Sequence, residues 1–126
     1  GLAGIGDGNL PGNKSEGPQI RTAGDPILVG ALPASAIDEV VRKHLAQFRY
    51  CYQRRLAQRP DMSGKVSITF TIAGDGSVSA ASVSRSALSD PEVESCMVGR
   101  FLRLKFPAPN GGGIVRVTYP FIFSPC

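Results

Sequence analysis

Lys65-Val66-Ser67-Ile68-Thr69-Phe70-Thr71-Ile72-Ala73-Gly74-Asp75-Gly76-Ser77-Val78 is the stretch that decides the fold. Val66, Ile68, Phe70 and Ile72 alternate with Lys65, Ser67, Thr69 and Thr71. An extended chain therefore puts the apolar side chains on one face and the polar ones on the other, as in a half-buried antiparallel strand. Gly74-Asp75-Gly76 supplies the positive-φ residues of a hairpin turn. The returning strand, 77–85, alternates less well. Val78 and Val83 can share a face only if a bulge intervenes, expected near Ala80-Ala81.

A helix is expected on either side of this hairpin. Upstream, Ile37, Val41, His44, Leu45, Phe48, Tyr52 and Leu56 recur at three- and four-residue spacing, which predicts one helix over 36–58. Ser35 and Asp38 suit a capping box, and Pro60 stops the run. Downstream, Asp90 can cap a second helix with Pro91 at its first position, where the missing N–H is harmless. Val93, Met97, Phe101 and Leu104 form its apolar stripe, and Pro107 and Pro109 end it. In the last segment Val115, Val117, Tyr119, Phe121 and Phe123 alternate with Arg116, Thr118 and Pro120. Proline cannot donate to a ladder, so Pro120 points to an edge strand or a frayed end. The layout is an α+β domain, α-β-β-α-β, with two helices on one face of a three-stranded antiparallel sheet.

Residues 1–33 differ in kind, with eight glycines and four prolines. They read as a flexible linker, with Ile27-Leu28-Val29 as a short strand over 27–30. The domain proper is 34–126. The chain opens on Gly1 with no signal-peptide pattern and no continuous apolar run of roughly 18 residues, so any address or anchor is expected outside it.

The chemistry is sparse. Fourteen Lys and Arg against ten Asp and Glu give a net charge of +4, with many cations on the first helix (Arg42, Lys43, Arg49, Arg54, Arg55, Arg59). These read as a solvated face or as a surface for an anionic partner. One histidine, no nucleophile motif and no phosphate-cradling loop argue against an enzyme, and no cofactor is expected. Cys51, Cys96 and Cys126 lack metal-ligand spacing, so no metal site is expected. The exposed sheet face carries Ser and Thr and lacks the stacking aromatics that single-stranded nucleic acids need, so no nucleic-acid partner is expected.

Cys51 and Cys96 each flank the apolar stripe of a helix. Side by side on one sheet, the helices could pair them, or both could be buried free thiols. A bond would close a loop of 45 residues (96 − 51), stabilising the domain by roughly 4 kcal/mol on the entropic model, and would favour an oxidising compartment. Cys126 is the odd one out.

Beyond physical pattern, Tyr50-Cys51-Tyr52, Pro60, Gly64-Lys65-Val66, Gly74-Asp75-Gly76-Ser77-Val78 and Val93-Glu94-Ser95-Cys96 resemble the C-terminal domain of AgmX/PglI-type gliding-motility proteins of myxobacteria. Phe106-Pro107-Ala108-Pro109, Gly111-Gly112-Gly113 and Tyr119-Pro120-Phe121-Ile122-Phe123 complete the likeness, which covers about residues 27–123. That family is similar to the TonB C-terminal domain. The resemblance implies a periplasmic domain of an inner-membrane-anchored, envelope-spanning complex in motility or energy transduction. It implies a protein partner from the outer membrane or periplasm, whose extended segment adds to the last strand. Carried over, the docking residues are Ile114, Val115, Arg116, Val117, Thr118 and Tyr119, with Ala31 and Leu32 near the same groove. Departures from TonB are the paired cysteines and the triple-glycine entry to the last strand. A structural or adaptor role through the basic helix face, or a homodimer through paired last strands, is the alternative.

Overall fold

The computed structural model describes residues 17–126. Its elements are β1 (Gln19–Thr22), β2 (Ile27–Val29), α1 (Ala34–Lys43), α2 (Leu45–Gln53), β3 (Gly64–Ile72), β4 (Val78–Ser86), α3 (Pro91–Phe101) and β5 (Val115–Ser124), with a 3-10 turn at Asn110–Gly112. The class is α+β, as the periodicity implies. The count differs: one antiparallel sheet of five strands in place of three, and three α-helices in place of two. Both added strands come from the stretch expected to be linker; Ile27–Val29 matches the short strand expected over 27–30, and Gln19–Thr22 is new. Its residues 1–16 lie outside the described residues.

The last strand is not an edge. β5 pairs with β3 along one side (Gly64↔Phe123 through Ile72↔Val115) and with β1 and β2 along the other. The two outer positions belong to β4 and to the β1–β2 strap. Alternation then sorts the layers. Val115, Val117, Tyr119, Phe121 and Phe123 of β5, and Val66, Ile68, Phe70 and Ile72 of β3, are all buried against the helices. Phe101 of α3 stacks on Phe48 of α2 at 4.6 Å and meets Phe70 at 5.0 Å, while Tyr52 packs on Phe123 at 4.7 Å. Each such ring contributes about 1.5–3 kcal/mol by burial.

β4 carries the bulge that its valines require, and a second one. Val78 faces Ile72 and Val83 faces Ile68, while Ser79 and Ser84 are the extra residues where the register shifts. The first bulge thus falls at Ser79, one residue before the expected pair. Each extra serine turns its hydroxyl back onto the neighbouring strand, Ser79 toward Thr71 O at 3.5 Å and Ser84 to Ser67 O at 3.2 Å. Two bulges twist this edge and make it a poor template for another strand.

The expected single helix breaks at His44 (φ −114, ψ 8). Its backbone N–H bonds Val41 O at 3.0 Å rather than Val40 O, and its ring Nδ1–H donates to the Val40 carbonyl left over, at 2.8 Å. Beyond Gln53 the chain runs in turns, so the helical segment ends five residues short of the expected Gln58. Ser35 does not cap: α1 starts at Ala34 after Pro33, with no side-chain cap, and Asp38 instead accepts from Tyr119 Oη at 2.6 Å. Asp90 does cap α3, accepting from the N–H groups of Glu92 and Val93 at 3.0 Å each, with Pro91 first in the helix.

Cys51 and Cys96 are joined by a disulfide, with Cα atoms 5.6 Å apart, which ties α2 to α3. Cys126 is free and exposed.

Candidate partner-binding edge

The residues expected to dock an extended partner lie together at one corner of the sheet, but in three different environments. Val115, Val117 and Tyr119 point into the core. Burial first, and then the hydrogen bond to Asp38, push the Tyr119 phenol well above its usual range, so it stays a neutral donor. Arg116 and Thr118 face the side of the sheet away from the helices, where Arg116 is exposed and Thr118 Oγ1 lies 2.9 Å from Thr69 Oγ1. Ile114 precedes the strand and is 68 % exposed. Ala31 is exposed, its carbonyl accepting from Asn110 N at 3.1 Å, whereas Leu32 is buried in the core.

The edge these residues were expected to offer is occupied by the chain itself. Ile27, Leu28 and Val29 stand opposite Thr118, Val117 and Arg116, and Gln19 to Thr22 stand opposite Ser124 to Phe121. Between them Ala23 to Pro26 leave the ladder opposite only Tyr119 and Pro120. Pro120 explains the interruption. Its carbonyl accepts from Ala23 N at 3.0 Å, so its nitrogen, which has no hydrogen, faces the strap rather than β3. Proline thus sits inside the sheet without removing a bond to β3, and the strap bulges where no donor is available. By the same alternation, Arg116, Thr118, Ile122 and Ser124 are the residues whose backbone groups face the strap.

The strap is short and only partly anchored. Leu28 and Ile20 pack against the core, while Ile27 and Val29 are each 69 % exposed. Val29 opposite Arg116 continues to Ile114, so three aliphatic side chains stand in the open around one cation. Gly30 then turns the chain away at φ +135, where a Cβ would lie 2.7 Å from Val115 Cγ2 and 2.8 Å from Val115 Cα. Only glycine permits that approach.

The sequence points to β5 and to a short strand at Ile27–Val29, but shows neither Gln19–Thr22 nor the pairing of both with β5. The strap's only signal is the triplet Ile27-Leu28-Val29 among turn formers. Also missed was the cluster around Asp90, which is 1 % exposed and meets Arg55 Nε and Arg59 Nη1 at 3.2 Å. Burial alone would raise its pKa, but the Val93 N–H and the guanidiniums of Arg59 and Arg55 prevail and hold it below the usual carboxylate range. Two arginines of the basic helix face are therefore structural, and Arg55 also meets Glu92 at 3.2 Å.

Among the described residues no group of three or more His, Cys, Asp or Glu is placed to hold a metal ion, and no helix is long and apolar enough to cross a membrane. Comparison with protein-family models, curated proteins and solved structures finds no match to this chain.

Proposed function

We propose that this chain is a non-catalytic protein-binding domain of an envelope-spanning motility or energy-transducing complex, working in the periplasm. It takes an extended segment of an outer-membrane or periplasmic partner by strand addition along the Arg116–Thr118 side of β5. The observation that carries this reading is the strap: a three-residue strand with two exposed aliphatic side chains already lies there as an added strand would. The competing edge, β4, is twice bulged. The Cys51–Cys96 bond is compatible with an oxidising compartment.

On this reading the partner replaces β2, and the strap holds the edge in its absence. The test uses the strap as its own surrogate partner. Gly30→Ala forces the chain away from Val115 and loosens the strap, so the amides of Arg116 and Thr118 lose hydrogen-exchange protection while those of Val117 and Tyr119, which face β3, keep theirs. A synthetic peptide of residues 19–29 then binds Gly30→Ala more tightly than the parent and restores the protection. Thr118→Pro, which removes an N–H facing the strap and none facing β3, abolishes peptide binding without unfolding the domain. A peptide that fails to bind Gly30→Ala while those amides exchange freely rules out strand addition here. A concentration-dependent dimer of Gly30→Ala whose strap pairs in trans would instead identify a second copy as the partner.

A further inference from the structure

The helical layer carries a second candidate site, independent of the β5 edge. A cavity of about 220 Å³ opens between the end of α2 and the outer side of α3, lined by Arg54, Ser95, Cys96, Gly99, Arg100 and Arg103. Three arginines and one serine are among its lining residues, and no Asp or Glu is. The contrast with neighbouring arginines is informative. Arg55 and Arg59 both reach Asp90, whereas Arg54, Arg100 and Arg103 meet no carboxylate among the described residues. Arg54 lies instead over the ring of Tyr50, 5.9 Å from its centroid. The disulfide keeps these like charges close. The two helices run antiparallel, with Phe48 against Phe101, Cys51 bonded to Cys96 and Arg55 against Asp90, so Arg54 on one side of the covalent link and Gly99 and Arg100 on the other flank it and border the same cavity.

Gly99 points the same way. It lies inside α3, where glycine is less stable than alanine, yet a Cβ there would meet nothing within 4 Å. Neither a close approach nor a positive φ requires it. What the missing side chain does is leave the cavity open. Unopposed cations held together around such a space are a poor arrangement for an empty molecule and a good one for a doubly charged oxyanion. Guanidinium forks match phosphoryl oxygens bidentately.

We propose that this cavity binds a phosphoryl group, a monoester or inorganic phosphate carrying close to two negative charges. A singly charged carboxylate or phosphodiester would leave more of the arginine charge unmatched. The volume suits a headgroup-sized anion and falls below the several hundred Å³ of sites for larger ligands.

Inorganic phosphate, titrated into the intact oxidised protein at constant ionic strength, is the first probe. The amides of Ser95, Gly99 and Arg100 shift together and saturate, while sodium chloride gives no saturating shift. Arg100→Gln and Arg103→Gln each weaken binding by about tenfold, the loss expected for one charge-assisted contact. Gly99→Ala separates this site from a merely solvated arginine face: the variant melts at a higher temperature and binds phosphate more weakly. Shifts that do not saturate, that chloride reproduces, or that survive both glutamine variants overturn the proposal. So does a Gly99→Ala protein that binds as tightly as the parent. Vesicles of phosphatidic acid in phosphatidylcholine identify the source. Co-sedimentation that free phosphate competes away supports the site with a lipid headgroup as ligand. Saturable binding of free phosphate without co-sedimentation supports it with a soluble one.

Discussion

At Asp90 the two carboxylate oxygens do separate work. Oδ1 accepts the N–H groups of Glu92 and Val93 and starts α3, while Oδ2 lies between Arg55 and Arg59, which follow α2. One residue thus sets a helix terminus and pins the preceding segment to it. Its depressed pKa has a definite sign for stability. Well above the ordinary carboxylate pKa of about 3.9, folded and unfolded chains are both ionised and the contribution is complete. As pH falls below that value the unfolded chain takes up a proton first, and stability is lost until the folded carboxyl protonates too. Asp90→Asn keeps an oxygen for the cap and removes the charge, so it isolates this effect. Near pH 7 it is expected to lower stability by about 2–3 kcal/mol, the scale for a buried charged partner left unmet. Urea midpoints measured from pH 7 to pH 2 should show the parent losing more stability than Asp90→Asn, with the two curves converging at the acid end. Parallel curves would show that the cap and not the charge accounts for the loss.

The elements differ in how far their own residues announce them. β3 and the hairpin are legible because a period of two needs only neighbours, and the Asp90-Pro91 start of α3 is legible because a cap is local chemistry. The break at His44 is not, since Val41, Leu45, Phe48 and Tyr52 keep an apolar stripe running across it. What ends α1 is the choice of the His44 N–H for Val41 O, made good by the imidazole on Val40 O. His44→Ala should therefore lower stability by about 1 kcal/mol, the typical net value of one hydrogen bond, measured as a shift in urea midpoint at unchanged slope. An unchanged midpoint would mean that solvent satisfies Val40 O equally well. The strap is legible only by half: Ile27-Leu28-Val29 reads as a short strand and forms one, whereas nothing marks Gln19–Thr22. Three apolar residues do not specify a partner, and the register exists only because β5 stands ready with the backbone groups of Arg116 and Thr118 facing the strap. Pro120 shows how a sound local rule can point to the wrong place. It does mark a missing ladder bond, but the missing bond lies on the strap side of a central strand. The arginine cavity was equally hidden, because Arg54 and Arg100 converge from positions 46 residues apart (100 − 54).

Across the whole molecule, the Cys51–Cys96 bond encloses β3 and β4, so it closes one side of the core while β5 arrives from outside the loop. The two candidate surfaces therefore stand in different relations to it. The arginine cavity is built on the two helices that it joins, whereas the β5 edge depends on pairing between the strap and the last strand, both outside the closed loop. Freeing the loop should lower stability by about 4 kcal/mol, read as a fall in urea midpoint between the oxidised protein and the double variant Cys51→Ala/Cys96→Ala. Under native conditions the functional consequences should separate. Phosphate binding weakens, because Arg54 can swing away from Arg100 once its helix is no longer tethered. Hydrogen-exchange protection at Arg116 and Thr118 persists, because the strap pairs with β5 whether or not α2 is bound to α3. If protection at those amides falls along with phosphate affinity while the double variant remains folded, the helical layer and the strap are coupled, and the two surfaces cannot act independently.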